Sequence, residues 1–163
     1  ALQIRDFHPD LILLNGFQDS LVGQVRALRT LGLVTAGNTV GTYDLMDAAT
    51  ILSAEELEGL RVVSPRYLLA PTEASRSFEA AFRDRYHRPP LYSAAYAYDM
   101  IATIRDAAER LTDSATPASW LSAIRATNTQ GVTGPIRFND DGDLQTELAL
   151  GVFRKGSLVL DAE

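Results

Sequence analysis

Cysteine is absent from this sequence. That excludes disulfides, thiol nucleophiles and cysteine-held zinc together. It leaves the redox compartment open, because disulfide-free proteins occur on both sides of a membrane. Lysine is nearly absent: Lys155 alone stands against 14 arginines, a bias read as genomic base composition rather than function. Positive charge is the minority, with 15 basic against 21 acidic residues and a net charge of −6. A chain of that balance lacks the electrostatic footprint of a nucleic-acid binder. Long apolar runs are missing too, none approaching the roughly 20 residues of a membrane-spanning helix. The opening Ala1-Leu2-Gln3-Ile4-Arg5-Asp6 does not have the form of a signal peptide. Histidine occurs twice, at His8 beside Pro9 and at His87 between Tyr86 and Arg88. Neither has a spaced carboxylate or nucleophile, so both read as solvated surface residues.

What is present has the composition of an ordinary globular protein. The 163 residues are 46% hydrophobic and 22% charged, enough for one domain of common size or a piece of something larger. Residues 1–7 read as the last turns of a helix, ended by Pro9. A domain seldom opens inside a helix, so the expectation is that an N-terminal part is missing. Residues 10–14 form a continuous apolar run ending at Asn15-Gly16, the pattern of a strand buried on both faces of a parallel sheet. Leu21, Val25 and Leu28 then recur at helical spacing, with Asp19 or Ser20 as N-cap and Gly32 as the stop. Residues 33–36 read as a second strand and 37–44 as a glycine-containing loop. Leu45 to Ile51 can form a helix. Ser53-x-x-Glu56 is a capping box, and residues 60–64 are a third strand stopped by Pro65.

The remainder is more helical. Thr72 caps a helix to about Tyr86, with Phe78, Ala81, Phe82 and Tyr86 on one face, and Pro89-Pro90 breaks it. A long alanine-rich helix from Tyr92 to Leu111 carries Tyr96, Met100, Ile104 and Leu111 as its stripe. Thr116-Pro117 opens another, with Trp120, Leu121 and Ile124 expected inward. Residues 135–138 are a strand, 139–143 a turn, and 148–160 a hairpin around Arg154-Lys155-Gly156-Ser157. No internal repeat is present. Strands alternating with helices predict an α/β protein with a largely parallel sheet.

Covalent chemistry finds no support. Asn139-Asp140-Asp141-Gly142-Asp143 lacks the twelfth-position glutamate of a calcium loop, since Leu150 and Val152 stand at the two candidate positions. The glycines at 37 and 41 come without a Lys-Ser/Thr pair or G-x-G-x-x-G, and no G-x-S-x-G exists. The residues predict no metal, no cofactor and no catalytic site. Tyr92 and Tyr96 share a helix face, with core packing or a buried hydroxyl bond as the simplest role.

What survives is a pair of strand ends, because ligands of parallel α/β sheets bind beyond the carboxyl ends of the strands. Asn15-Gly16-Phe17-Gln18-Asp19 follows the first strand and residues 38–44 follow the second. The candidate ligand-binding residues are Phe17, Gln18, Asp19, Asn38, Gly41, Thr42, Tyr43 and Asp44. Backbone N–H groups there suit a carboxylate, and Asp19 or Asp44 suits an ammonium. This is a site for a small zwitterion; loops serving only as connections remain the alternative.

Six segments, in order, resemble the C-terminal portion of type I periplasmic solute-binding proteins, particularly the branched-chain amino acid and amide group of ABC transporters. They are Pro9–Gly16, Gln24–Leu33, Leu57–Leu60, Phe78–Tyr86, Tyr96–Asp99 and, most specifically, Gly131-Val132-Thr133-Gly134-Pro135-Ile136-Arg137-Phe138 with Asn139–Asp143. The resemblance covers the whole chain. It implies a fold of two α/β lobes with largely parallel sheets, joined by three hinge crossovers and closing over ligand. Residues 1–65 would belong to the second lobe, 66–148 to the first, and the hairpin 149–163 would return to the second. Hinges would fall near Ser64-Pro65 and 147–151. Phe17 stands where an aromatic residue covers the ligand. Where amino-acid binders carry an acid for the α-ammonium group, this chain has Gly41 or Thr42, so Asp44 or Asp19 would substitute.

The function so implied is extracytoplasmic capture of amino acids, amides or related small organic acids, not catalysis. The implied partners are that small molecule and an ABC-transporter permease, with no nucleic acid. The implied location is periplasmic or extracellular, with the full-length parent membrane-anchored. A homodimer would complete the truncated lobes. A sensor ectodomain is the alternative, and a cytoplasmic α/β enzyme a third class for which this chain offers no nucleophile, metal set or base.

Overall fold

Three short segments build the parallel part of the main sheet. A computed structural model describes residues 2–35, 37–112 and 115–161. After helix α1 (Leu2–Phe7), strand β1 (Ile12–Leu14) pairs in parallel with β2 (Thr39–Gly41), and β2 pairs in parallel with β3 (Arg61–Pro65). Strands β6 (Leu148–Arg154) and β7 (Ser157–Leu160) complete the sheet, in the order β1-β2-β3-β6-β7. Helices α2 (Gln18–Thr30), α3 (Leu45–Ala48) and α4 (Ala54–Leu57) connect the parallel strands. The chain is a mixed α/β protein with a parallel-rich sheet.

The chain divides into two compact units: residues 1–64 with 148–163, and residues 65–147. The first holds the five-stranded sheet over a core of Ile12, Leu14, Leu21, Val25, Leu28, Leu45, Leu60, Val62 and Phe153 with their neighbours. The second holds α5 (Arg66–Leu69), α6 (Glu73–Tyr86), α7 (Tyr92–Glu109), α8 (Pro117–Arg125) and the antiparallel pair β4 (Asn128–Gly131) and β5 (Gly134–Arg137). Its core is small, centred on Tyr67, Ala95 and Val132. The two ends of this second unit are tied together: Arg66 N–H donates to the Glu147 carbonyl at 2.9 Å, and their side chains approach to 3.6 Å.

Local signals act as their chemistry dictates. Ser53 and Glu56 form a reciprocal capping box on α4, and Thr72 and Thr116 cap α6 and α8 with Ser75 and Ser119 at N3. Residues 139–143 form a turn in which Asp143 N–H donates to Asn139 Oδ1 at 2.7 Å. Among the described residues no group of His, Asp or Glu could hold a metal ion, and no helix is long and apolar enough to cross a membrane.

Glu56 also binds Arg26 at 2.6 Å. That hydrogen bond, followed by the one from the Ser53 backbone, lowers its carboxyl from 4.5 to about 2. A carboxyl depressed in the folded state stabilises fully above its unfolded value and loses that contribution as pH falls through its folded value. Acid loss from this group therefore falls between about pH 4.5 and 2. Glu56→Gln is expected to flatten the melting-temperature profile in that window while leaving the helical signal at pH 7 intact. Identical acid limbs for the two proteins would contradict this.

Several expectations need correction. Residues 33–35 form no strand, and Ala36 lies outside the described residues. The run is spent on ending α2: Gly32 turns left-handed (φ +66), Gly32 N–H donates to Arg29, and Leu33 N–H donates to Leu28, a Schellman closure whose apolar residue packs back on the helix. Asn38 then takes the remaining backbone groups, donating to the Leu33 carbonyl at 2.8 Å and accepting from Thr35 N–H at 2.9 Å. The second strand starts six residues later than expected, at Thr39–Gly41. The α2 N-cap is Phe17, not Asp19 or Ser20, and no side chain caps it.

Strand β1 is buried on one face only, with Leu13 66% exposed. On α7 the buried stripe is Ala95, Asp99, Thr103 and Ala107, whereas Met100 and Ile104 are exposed. On α8, Leu121 points outward and Ala123 is buried. Strand β4, polar throughout, gave no apolar signal. Ala1, Ala162 and Glu163, at the ends of the predicted first helix and last hairpin, lie outside the described residues.

Candidate functional site

Register decides which loops meet. Leu14 of β1 lies opposite Gly41 of β2, so the residues that follow both strands emerge side by side at one end of the sheet. Thr42 N–H donates to the Leu14 carbonyl at 3.4 Å and carries the pairing one step past the strand. Phe17, Gln18 and Asp19 come off one strand, and Thr42, Tyr43 and Asp44 off the other.

Phe17 keeps an extended backbone at the head of α2, its carbonyl accepting from Leu21 N–H at 2.9 Å. That leaves its ring 82% exposed. Gln18, the first residue of α2, reaches across to α3 and the turn after it, donating from Nε2 to the Asp47 carbonyl at 3.1 Å and to Thr50 Oγ1 at 3.4 Å. These bonds tie the start of α2 to α3. Asp19 is exposed in the first turn of α2, where the helix dipole favours a negative charge.

Gly41 is buried beneath Leu45. A Cβ there would lie 2.8 Å from Leu45 Cδ2 and 3.1 Å from Leu45 Cβ, so the glycine admits the leucine that seats α3. Thr42 Oγ1 donates to Asp44 Oδ2 at 3.2 Å. Tyr43 is 42% exposed. Asp44 stands at the head of α3 without capping it.

Asn38 is not brought together with these residues. Its carbonyl accepts from Ile12 N–H at 2.7 Å, which puts it at the amino end of β2. The three residues of β2 lie between it and Thr42, four steps along the chain or about 13 Å. Its side chain holds the turn before β2.

Asp47 was not singled out from the sequence. It sits one helical turn after Asp44, and its Oδ1 is buried without a hydrogen-bond partner among the described residues. Burial pushes its carboxyl up from the usual range, and the Asp44 charge adds to the push. The i, i+3 spacing of two acids at the head of a helix was the available signal. Gathered at this sheet end are two exposed aromatic rings, an amide and three carboxylates on α2 and α3. That set can cover an apolar group and attract a cation.

Comparisons with known proteins agree with this architecture. The sequence matches the family described as periplasmic binding protein over residues 1–157. No curated protein matches it. Among solved structures, it is similar to a protein of Rhodospirillum rubrum described as a branched-chain amino acid ABC transporter, with 26% identity and a TM-score of 0.70 over 97% of this chain and 46% of that one. It is also similar to the leucine-binding protein LivK of Thermotoga maritima, at 22% identity and TM-score 0.79, over 99% of this chain and 46% of that one. A solute-binding protein of Rhodopseudomonas palustris in complex with benzoate has TM-score 0.83 at 16% identity, over 99% of this chain and 44% of that one. At those identities the last two likenesses speak for the fold alone. The chain thus spans less than half the length of these structures. A family match running over residues 1–157, on a parallel-rich α/β sheet, means that the chain belongs to the periplasmic binding protein family.

Proposed function

We propose that this chain supplies part of a solute-capture site that serves ABC-transporter uptake outside the cytoplasm, with an amino acid or related small organic acid as the captured molecule. The observation that carries the reading is the register of β1 against β2. It sets Phe17–Asp19 beside Thr42–Asp44, and Gln18 ties the start of α2 to α3. In this reading Phe17 and Tyr43 cover the apolar part of the solute, Asp44 or Asp19 takes its ammonium group, and Asp47 deepens the negative potential.

Residues 1–65 and 149–163 are then the second lobe and residues 66–148 the first. Closure about the crossings at Ser64-Pro65 and 147–151 is driven by contacts made only in the closed state. The parent protein delivers its cargo to a membrane permease. Leucine, as in the name of the T. maritima relative, and benzoate, as in the R. palustris complex, are the two probes of choice. One carries an ammonium group and the other does not.

Amide chemical shifts of the 163-residue chain, followed while each probe is titrated to tens of millimolar, test the reading. Shifts confined to Phe17–Asp19 and Thr42–Asp47, lost in Phe17→Ala, are the expected result. With leucine but not benzoate they should also be lost in either Asp44→Ala or Asp19→Ala. Shifts elsewhere, or none with either probe, would remove these loops as the solute subsite.

A further inference from the structure

Asn15 and Gly16 stand between β1 and α2, in the order that lets a peptide react with itself. A backbone nitrogen can attack the side-chain amide of the asparagine before it, and glycine leaves that nitrogen open because it has no Cβ. Of the four asparagines in the chain, Asn15 alone precedes a glycine. The fold leaves both reacting groups unengaged. Asn15 is exposed. Among the described residues its side chain makes no hydrogen bond, and neither does the Gly16 N–H. The main-chain carbonyl of Asn15 accepts from Gln24 Nε2 at 3.3 Å, which leaves its side chain untouched. Comparable positions are held. Asn38 donates to the Leu33 carbonyl and accepts from Thr35 N–H. Asn139 Oδ1 accepts from Asp143 N–H at 2.7 Å. Asn128 lies in β4 ahead of Thr129, whose branched side chain screens its own nitrogen. At Asp141-Gly142 the same ring could form with loss of water, but there the Gly142 N–H donates to the Asn139 carbonyl at 3.0 Å.

We propose that Asn15 is a site of spontaneous deamidation. The Gly16 nitrogen gives up its proton to water and bonds to Asn15 Cγ. The Cγ–Nδ2 bond breaks, and the side-chain nitrogen leaves as ammonia. The product is a five-membered succinimide. Water then adds to one of its two carbonyls and breaks that carbon's bond to the Gly16 nitrogen. Opening at the main-chain carbonyl gives isoaspartate, in which the chain runs through Cβ and Cγ; opening at Cγ gives aspartate. Either product replaces a neutral amide by a carboxylate and adds one negative charge. The glycine that permits the reaction is also the one that suits the entry to α2. A Cβ on Gly16 would crowd Ser20 Oγ at 3.0 Å and Gln24 Nε2 at 3.3 Å. Isoaspartate displaces the carbonyl that Gln24 holds and lengthens the link from β1 to Phe17 by one carbon. The inference rests on Asn15 and Gly16 and is independent of the solute-binding reading.

Ageing the folded 163-residue chain in mildly alkaline buffer, followed by ion-exchange chromatography and mass-spectrometric peptide mapping, tests it. A more acidic species should accumulate, with the mass gain of an amide-to-acid exchange in the peptide that holds Asn15 and isoaspartate as its main product. Asn38, Asn128 and Asn139 should convert at least roughly tenfold more slowly. Asn15→Gln, a change at an exposed side chain without partners, should abolish the acidic species and leave far-UV circular dichroism unchanged. The same chain unfolded in guanidinium chloride gives the reference rate. Conversion of Asn15 in the folded chain within about tenfold of that rate is the expected result. A slower folded rate would overturn the proposal, because the fold would then protect the site. An acidic species that persists in Asn15→Gln would overturn it by placing the reaction elsewhere.

Discussion

Asp99→Ala is expected to destabilise the 65–147 unit by about 3–5 kcal/mol, the largest effect of any single change outside the sheet core. Asp99 is 5% exposed. It accepts from Val132 N–H at 2.8 Å, Thr133 N–H at 2.8 Å and Thr133 Oγ1 at 2.6 Å. These are the donors of the two-residue turn between β4 and β5, and β4 has almost no apolar burial of its own. Alanine leaves the buried turn N–H groups without a partner. Asparagine keeps the shape but offers one accepting oxygen, so Asp99→Asn should cost less, about 1–3 kcal/mol. The measurement is direct, because Trp120 is the sole tryptophan and lies on α8 of this unit. Urea unfolding followed by its fluorescence should shift to lower midpoint in the order wild type, Asn, Ala. Coincident curves would mean that the turn stands without its clamp. The packing around Gly131 supports the expectation, since a Cβ there would lie 2.5 Å from Asp99 Oδ2.

The second large effect belongs to the other unit. Leu45→Ala should cost about 2–5 kcal/mol, the range of a buried leucine whose site cannot collapse. Leu45 is fully buried in the sheet core and rests against Gly41. Through that contact it seats α3, and α3 sets the pose of Thr42–Asp44. The variant should therefore do two separable things. Far-UV circular dichroism in urea should show the lost stability, and hydrogen exchange at Thr42–Asp47 should quicken more than at residues 21–28. A loss of stability spread evenly over both segments would sever the link from Leu45 to the site. Trp120 fluorescence, reporting on the 65–147 unit, distinguishes this variant from Asp99→Ala.

Elements whose signals are local were legible in the sequence. The caps at Ser53, Thr72 and Thr116 each need only three residues to close their bonds, and the structure has all three. The hairpin of β6 and β7 turns where Lys155-Gly156 adopts positive φ at both residues, the geometry that two-residue turns require. The apolar run at 12–14 and the Val62-Val63 segment of 61–65 are strands because their own composition favours it, and each pairs in parallel with β2.

Tertiary contacts alone decided the rest. Leu33-Val34 has the composition of a strand, yet the end of α2 claims the Leu33 N–H, and Asn38 claims the Leu33 carbonyl and the Thr35 N–H. The strand starts six residues further along, at Thr39 instead of Leu33, and Asn38 moves to the far end of the sheet from the other candidate residues. On α7 an apolar count favours the wrong face, because the buried face is chosen by three donors at residues 132 and 133 that recruit Asp99. Asp47 has its buried oxygen only with α3 packed in place, where Gln18 of α2 donates to the Asp47 carbonyl. Capping and turn formation are settled within a few residues of chain, so the sequence determined them by itself. Register, the covered face of a helix and the burial of a carboxylate depend on groups tens of residues away, and only the folded chain brings those together.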